Sequence, residues 1–463
     1  MESKDLVIIG GGPGGYTCAI RASQLGRKVT LVERENLGGV CLNWGCIPTK
    51  SLLRHAKLVD DLQRAQQFGI DIKGYQINFE KIIANSRQVA SKLEQGVKYL
   101  MNKNKVEVIK GQASFENEST ILVEHGGEKR LIKFKDAVLA VGASPKGLPF
   151  IDIDGERVHN YRSILVNTKL PASLTIIGAG AIGLEFSYFF SSLGVRVNLI
   201  EALDRIAPLE DIEISNALQK AFENHGIRIF TKAKVESIQK TQSAVVVTMV
   251  DSSSIPQNLE TDMVLIAVGV TPNTSGLELE KVGILTNRGY IAVNENYQTT
   301  LPNVYALGDC IGGPMLAHKA SHEGLIVAEK IAAKQHSILD KERIPSCIYT
   351  EPQVASIGLT EEQAKAKGFN IKVQKLPLSA IGKAVATFET EGFCKVILDE
   401  KYGEILGVHM IGPEVTELIS IASIAKTHEA VADTIIESVF PHPTLSEAIL
   451  EAVAAAAGRP INF

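Results

Sequence analysis

Asp5-Leu-Val-Ile-Ile-Gly10-Gly-Gly12-Pro-Gly-Gly15 opens the chain with a short apolar run that ends in a cluster of glycines. A helical stretch to Leu25-Gly26 follows, then a second strand, Lys28-Val-Thr-Leu-Val-Glu33. Strand, glycine turn, glycine-closed helix and a strand ending in an acid together make a dinucleotide-binding unit. In such a unit Gly10 permits the turn, Gly12 lets the backbone approach a pyrophosphate, and Gly15 lets helix pack on strand. The helix N-terminus faces the phosphates, and Glu33 accepts from a ribose hydroxyl.

One such pattern is weak, because glycine turns between a strand and a helix are common. This chain repeats it at an offset of 168 residues: Ser173-Leu-Thr-Ile-Ile-Gly178-Ala-Gly180-Ala-Ile-Gly183, a helical stretch to Leu193-Gly194, then Arg196-Val-Asn-Leu-Ile-Glu201. The glycines, the helix-closing glycine and the final glutamate all coincide, so two dinucleotide sites are expected. A carboxylate at Glu201 accepts from a 2′-hydroxyl and repels a 2′-phosphate, which favours NAD over NADP; Arg205 lies four residues on. A second echo, Ala140-Val-Gly142-Ala-Ser-Pro145 and Ala267-Val-Gly269-Val-Thr-Pro272, marks where each nucleotide-binding domain would close.

Close behind the first fingerprint comes Gly38-Gly-Val-Cys41-Leu-Asn-Trp-Gly45-Cys46-Ile-Pro48-Thr-Lys50. The spacing of the two cysteines fits two buried thiols on a packed helix as well as a redox pair. Residues five apart on an ideal helix have Cα atoms about 8.6 Å apart, whereas a disulfide wants roughly 4.4 to 6.8 Å. A paired Cys41 and Cys46 therefore require a distorted helix, for which Gly45 supplies backbone freedom and Pro48 a break in hydrogen bonding. A disulfide closing so short a loop is strained and readily reduced.

At 463 residues the chain is too long for one core, and about 100 to 200 residues per domain suggests three or four. Hydrophobic content of 45%, charged content of 22% and a net charge of -4 describe an ordinary soluble globular protein and give no basic surface for nucleic acid. Six cysteines are too sparse for a secreted disulfide scaffold, which points to a reducing compartment. No apolar run reaches membrane-spanning length, and the start, Met1 to Asp5, runs into the strand Leu6 to Ile9 with no cleavable leader expected. Further on, Thr300-Leu-Pro-Asn-Val-Tyr-Ala-Leu-Gly308-Asp309 reads as a short strand ending in a turn whose acid could hold a polyol chain. From about Ile344, strands such as Gly392 to Leu398 alternate with helices such as Glu414 to His428, an α+β domain with its own core.

The whole chain resembles the flavin-dependent pyridine nucleotide disulfide oxidoreductases. The match spans both fingerprints, the two-cysteine run, Gly308-Asp309, Met315-Leu-Ala-His-Lys-Ala320, Ile344-Pro-Ser and His442-Pro-Thr-Leu-Ser-Glu447. The resemblance implies an α/β fold with two Rossmann-like dinucleotide-binding domains, for FAD and NAD, and a C-terminal α+β dimerisation domain. The expected bounds are 1–145 and 273–343 for the two parts of the FAD domain, 146–272 for the NAD domain and 344–463 for the interface domain.

By the same resemblance, Gly10, Gly12, Gly15, Glu33 and Gly142 bind FAD, Asp309 holds its ribityl chain, and Ala317 and His318 line the flavin site. Lys50 and Glu185 match an ion pair near the flavin ring, Glu185 also counting with Gly178, Gly180, Gly183, Glu201 and Gly269 at the NAD site. Cys41 is implied as the thiol that exchanges with substrate and Cys46 as the one against the flavin. His442 is implied as the base, since an imidazole titrates near neutrality and can take a proton from a dithiol and return it. Glu447 would orient it, as a carboxylate orients a hydrolase histidine. No metal is expected.

The implied reaction is oxidation of protein-bound dihydrolipoyl groups with reduction of NAD+. It implies an obligate homodimer with His442 supplied across the interface, lipoyl domains and the acyltransferase core of 2-oxo acid dehydrogenase complexes (or glycine cleavage) as partners, a role in cell redox homeostasis and a cytoplasmic location. Val40 and Trp44 depart from the commonest family pattern, which has Thr and a small aliphatic residue there; Trp44 is the only Trp in the chain and should report the redox state by its fluorescence. Related reductases each meet a contrary residue. A glutathione-type enzyme would want a basic site in place of Glu201, a mercuric reductase a cysteine pair near the C-terminus where this chain has Gly458 to Phe463, and a transhydrogenase no Cys41 and Cys46. A purely structural component would leave the cysteines, His442 and Glu447 unexplained.

Overall fold

The computed structural model describes residues 2–252, 255–334 and 338–462. Met1 and Phe463, the expected first and last domain bounds, lie outside the described residues. The chain divides into two compact units, one of Met1–Ser51, Glu80–Lys146 and Gly269–Leu339, the other of Leu52–Phe79, Gly147–Val268 and Asp340–Phe463.

In the first unit the strand of the first fingerprint spans Glu2–Ile9. It is longer than the apolar run because its polar start, Glu2 to Lys4, pairs with Ile132 to Phe134. Parallel strands Glu107–Lys110, Val29–Glu33, Glu2–Ile9 and Glu128–Leu139 lie side by side in that order. The far edge of Glu128–Leu139 is shared. Thr120–His125 pairs antiparallel with its first half and continues to Gln112–Asn117, while Val304–Ala306 pairs parallel with its last three residues.

Both faces of this sheet are covered, with Leu6, Ile8, Leu31 and Val138 in one core and Val7, Ile9, Val32 and Leu139 in the other. That is why its strands read as continuous apolar runs. The fingerprint helix Pro13–Gln24 packs on helix Ala317–Ile331. The backbones nearly touch, since a Cβ on Gly324 would come 2.5 Å from Gly14 O. The two echoing segments, Ala143–Pro145 and Val270–Pro272, pair with each other as an antiparallel ribbon.

The second unit contains a five-stranded parallel sheet in the order Arg228–Phe230, Arg196–Ile200, Ser173–Ile177, Met263–Ile266, Val158–His159. A three-stranded antiparallel meander, Lys234–Lys240, Val245–Val250 and Pro256–Thr261, adjoins it in sequence. The same unit holds a five-stranded antiparallel sheet in the order Ser346–Ile348, Gln353–Gly358, Ile405–Gly412, Phe393–Asp399, Ile371–Pro377. Helices Val415–Thr427 and Glu447–Ala456 cover one of its faces over a core that includes Val396, Val408, Met410, Ile419 and Val453. The fold is therefore α/β with two Rossmann-like units and a C-terminal α+β region, as expected. Among the described residues, no helix is long and apolar enough to cross a membrane.

The other face of the antiparallel sheet carries a polar row. Ser346, Ser356, His409, Lys395 and Lys375 are direct cross-strand neighbours in that sequence. The row meets the acidic segment Glu210 to Glu213, which follows the second fingerprint. Ser346 Oγ donates to Glu210 Oε1 at 3.3 Å, and Lys395 Nζ lies 2.9 Å from Asp211 Oδ1, 2.9 Å from Glu213 Oε2 and 2.8 Å from Glu361 Oε2. The side chains of Lys395 and Asp211 are each only 1% exposed. Burial raises the Asp211 carboxyl, but Lys395 and the Glu213 N–H outweigh it and hold it below the usual carboxylate range.

Removing one member of such a pair strands a buried charge. Lys395→Ala is therefore expected to lose about 3 to 5 kcal/mol of stability at pH 7, read as a lower urea midpoint by circular dichroism. The contribution of Asp211 is complete above its unfolded pKa of about 3.9 and is lost as pH falls through the lower native value. The deficit of the variant should thus shrink below about pH 4; an unchanged midpoint at pH 7 would show that the pair does not hold this face.

Candidate active site

A six-residue helix, Gly39–Trp44, carries Cys41, and a second helix, Cys46–Arg64, begins at the other cysteine. The expected distortion is thus a complete break with Gly45 as the hinge, at φ -144 and ψ -112. A Cβ on Gly45 would come 3.1 Å from Val40 O, so the position is tight for any other residue. Gly45 O accepts from Thr49 N at 3.1 Å, which starts the second helix. Pro48 sits in the first turn of that helix, where a continuous helix would need its N–H to donate to Trp44 O, so its missing donor fits the break.

Cys41 and Cys46 are both free thiols, and their side chains hydrogen-bond to each other. The bond to Cys46 pushes the Cys41 thiol up, burial adds to the effect, and the cation of Lys50 opposes it. Cys46 stands at a helix N-terminus, where the backbone N–H groups favour a thiolate. Lys50 follows one turn later, on the same face of the helix. The two thiols thus differ in their surroundings, Cys41 raised by its bond to Cys46 and Cys46 placed at a helix start.

This segment lies directly against the first fingerprint. Gly38 N donates to Gly11 O at 2.8 Å. A Cβ on Gly39, which has φ +57, would come 2.7 Å from Gly12 Cα. The buried Asn43 fastens the turn from inside, its amide donating to Leu37 O at 3.0 Å and to Gly39 O at 2.9 Å. Three residues that sequence reasoning passed over belong to this site: Asn43, Arg87 and Tyr16. The Tyr16 phenol is pushed up first by burial and then by Cys41. Tyr16 had one signal, its place directly after the fingerprint glycines, whereas Arg87 had none.

The two fingerprints repeat each other bond for bond. Glu33 accepts from Gly11 N at 2.6 Å and Glu35 N at 2.7 Å, and Glu201 accepts from Ala179 N at 2.7 Å and Leu203 N at 2.9 Å. Each carboxylate is thereby aimed across its glycine loop. Gly10 and Gly178 have φ of +104 and +102, and a Cβ on Gly15 or Gly183 would lie 1.9 Å from the carbonyl oxygen of Gly10 or Gly178. Neither Gly12 nor Gly180 is replaced by a side-chain cap at its helix start, and a Cβ on Gly180 would meet nothing within 4 Å. Uncapped N–H groups beside open space fit the pyrophosphates of FAD and NAD.

Other residues assigned to the flavin are in the first unit. Gly142, at φ +65, accepts from Asn273 N at 3.0 Å. Asp309 sits in the short turn Gly308–Ile311, where burial raises its carboxyl and Lys319 opposes that. Behind it Lys319 and Glu323 form a buried pair at 3.0 Å, and Glu323 accepts from Gly308 N at 2.7 Å. Ala317 and His318 begin the helix Ala317–Ile331, which has no side-chain cap. A half-buried carboxyl and an uncapped helix start suit a polyol and a polar ring edge. Gly269, at φ +104, accepts from Lys146 N at 3.0 Å in the same unit.

In the second unit the buried Glu185 accepts from Tyr349 N at 3.1 Å. His442 Nδ1 lies 2.9 Å from Glu447 Oε1, and Glu447 Oε2 accepts from Thr444 N at 2.9 Å. Burial raises the Glu447 carboxyl, but Thr444 and His442 together outweigh it and hold it below the usual range. A carboxylate can only accept, so Nδ1 carries the proton and Nε2 is the nitrogen able to accept one. The His442 side chain is 75% exposed, which leaves Nε2 open to whatever approaches this surface.

Residues 4–324 match the model of the pyridine nucleotide-disulphide oxidoreductases, and residues 344–453 match the dimerisation domain of the same family. The chain is 44% identical to a dihydrolipoyl dehydrogenase of Zymomonas mobilis, covering 99% of both chains. A Bacillus subtilis protein of that name is 42% identical, again over 99% of each chain, and a mitochondrial one from Pisum sativum is 38% identical over 100% of this chain and 93% of its own. Among solved structures, LpdA from Mycobacterium tuberculosis aligns at a TM-score of 0.92 with 28% identity, covering 98% of this chain and 99% of its own. The flavoprotein disulfide reductase RclA of Escherichia coli aligns at 0.86 with 29% identity, covering 97% and 99%. With both fingerprints, the two-cysteine break and the C-terminal domain matched along its length, the chain belongs to the pyridine nucleotide-disulphide oxidoreductase family.

Proposed function

We propose that this protein oxidises protein-bound dihydrolipoyl groups to lipoyl groups and reduces NAD+ to NADH. The observation that carries the reading is the backbone contact of the Cys41–Cys46 segment with the first fingerprint, Gly38 on Gly11 and Gly39 on Gly12. It puts a dithiol beside a dinucleotide cradle, and the relatives that match over nearly the full length are dihydrolipoyl dehydrogenases. FAD, when bound, accepts an electron pair from the dithiol and passes it as hydride to NAD+.

The protein residues do the rest. A thiolate of the dihydrolipoyl group attacks Cys41 of the Cys41–Cys46 disulfide, forming a mixed disulfide and releasing Cys46 as thiolate. The second substrate thiol gives its proton to His442 and attacks the substrate sulfur of the mixed disulfide, which closes the lipoyl ring and expels Cys41 as a thiolate, to which His442 returns the proton. Glu447 keeps His442 in the tautomer that can accept. The Cys41 thiol bonded to Cys46 is the form this half-reaction leaves behind.

Gly10, Gly12, Gly15, Glu33, Lys50, Gly142, Asp309 and Ala317 are assigned to FAD, and Gly178, Gly180, Gly183, Glu185, Glu201 and Gly269 to NAD. The division into 1–145, 146–272, 273–343 and 344–463 follows those roles. The protein works as a homodimer in which His442 of the partner subunit completes each site. Its partners are the lipoyl domains and acyltransferase core of a 2-oxo acid dehydrogenase complex or of glycine cleavage, in the cytoplasm.

Steady-state assay with dihydrolipoamide tests this. NADH should form with NAD+ and far more slowly with NADP+. His442→Gln should lower the rate by about 10² to 10⁴ while NADH still reduces the cysteine pair. Retention of full dihydrolipoamide turnover in that variant would remove His442 as the base. Glu201→Ala deletes a charge-assisted hydrogen bond and should weaken NAD+ binding roughly ten- to a hundredfold; unchanged affinity would displace Glu201 from the ribose.

A further inference from the structure

Arg87 lies in the helix Phe79–Lys103, and its guanidinium makes two contacts with the turn between the cysteines. It stacks over the ring of Trp44, 4.5 Å from the centroid, and its Nη1 donates to Asn43 O at 2.6 Å. Both partners lie at the end of the helix that carries Cys41. The last carbonyls of a helix have no intrahelical donor, and this helix stops at Gly45 with the negative end of its dipole at the redox pair. Arg87 supplies a charged donor there and at the same time pins the indole between Cys41 and Cys46. Asn43 is held from the other side by its own amide bonds to Leu37 O and Gly39 O.

We propose that Arg87 is a positioning residue for the redox pair: through Trp44 and Asn43 O it fixes the turn at Gly45 and sets how readily Cys41–Cys46 is reduced. The inference rests on the reading of Cys41–Cys46 as the exchanging disulfide. A planar guanidinium does this by stacking and donating together, and its cation compensates the helix end beside which negative charge builds up when the pair is reduced. Losing Arg87 removes that compensation, so the dithiol form becomes less favourable. Without Arg87 the Trp44 ring loses this cation and becomes more accessible.

The test uses the FAD-loaded full-length protein, equilibrated anaerobically against dithiothreitol at a series of reduced-to-oxidised ratios, with free thiols counted after acid quench. In Arg87→Met the equilibrium constant for reduction of the pair should fall at least fivefold, and acrylamide quenching of the single tryptophan should rise at least twofold. Arg87→Lys, which keeps a cation, should recover at least half of the equilibrium shift. Trp44→Leu, which leaves the bond to Asn43 but removes the stacking partner, should move the same constant in the same direction, and it decides the matter if Arg87→Met does not fold. Constants within twofold of wild type in Trp44→Leu and in every folded Arg87 variant would overturn the proposal. If the wild-type pair does not exchange with dithiothreitol at all, the assignment of the redox pair itself fails.

Discussion

Gly38 N–H donates to Gly11 O, and Gly39 lies so close to Gly12 that a Cβ on it would come within 2.7 Å of Gly12 Cα. That backbone-on-backbone contact is what the site depends on, because it holds the two-cysteine turn against the glycine loop of the first fingerprint. Only glycines permit the approach, and only the break at Gly45 lets the turn end with Cys41 on one helix and Cys46 at the start of another. The positive φ of Gly38 and Gly39 belongs to the same constraint. The two-cysteine turn and the first glycine loop are thereby joined within one stretch of chain.

The two thiols of that turn differ in their surroundings. Cys46 has a helix N-terminus and, one turn on, Lys50; Cys41 keeps its proton through the bond to Cys46 and through burial. In the second unit His442 is held by Glu447, itself held by Thr444, so the orientation of the imidazole is set by residues close in sequence. Farther away, the polar row across the antiparallel sheet ties Lys395 to Asp211 and Glu213 just beyond the second fingerprint. The segment that follows Glu201 is thus anchored by buried charge.

Local patterns were legible in the sequence. The fingerprints, the helix-closing Gly26 and Gly194 (φ +89 and +85), and the His442–Glu447 spacing all depend on residues near one another, and all took the expected form. The helix distortion at Gly45 follows from a distance argument, with Pro48 lacking the N–H that a continuous helix would need there. Contacts set by register were not legible. Nothing near Arg87 announces Trp44, the five members of the polar row come from five strands, and the pairing of Ala143–Pro145 with Val270–Pro272 joins segments that sequence reading took as separate boundary markers. The polar opening Glu2 to Lys4 became strand because a long partner strand was there to pair with it.

Anaerobic titration of the purified yellow protein with dihydrolipoamide, followed by NAD+, tests the central claim most directly. A long-wavelength charge-transfer band should appear as the dithiol forms, reporting a Cys46 thiolate against the flavin, and NADH should form when NAD+ is added. Reduction by NADPH with no response to dihydrolipoamide would contradict the account and move the chain to a different disulfide substrate.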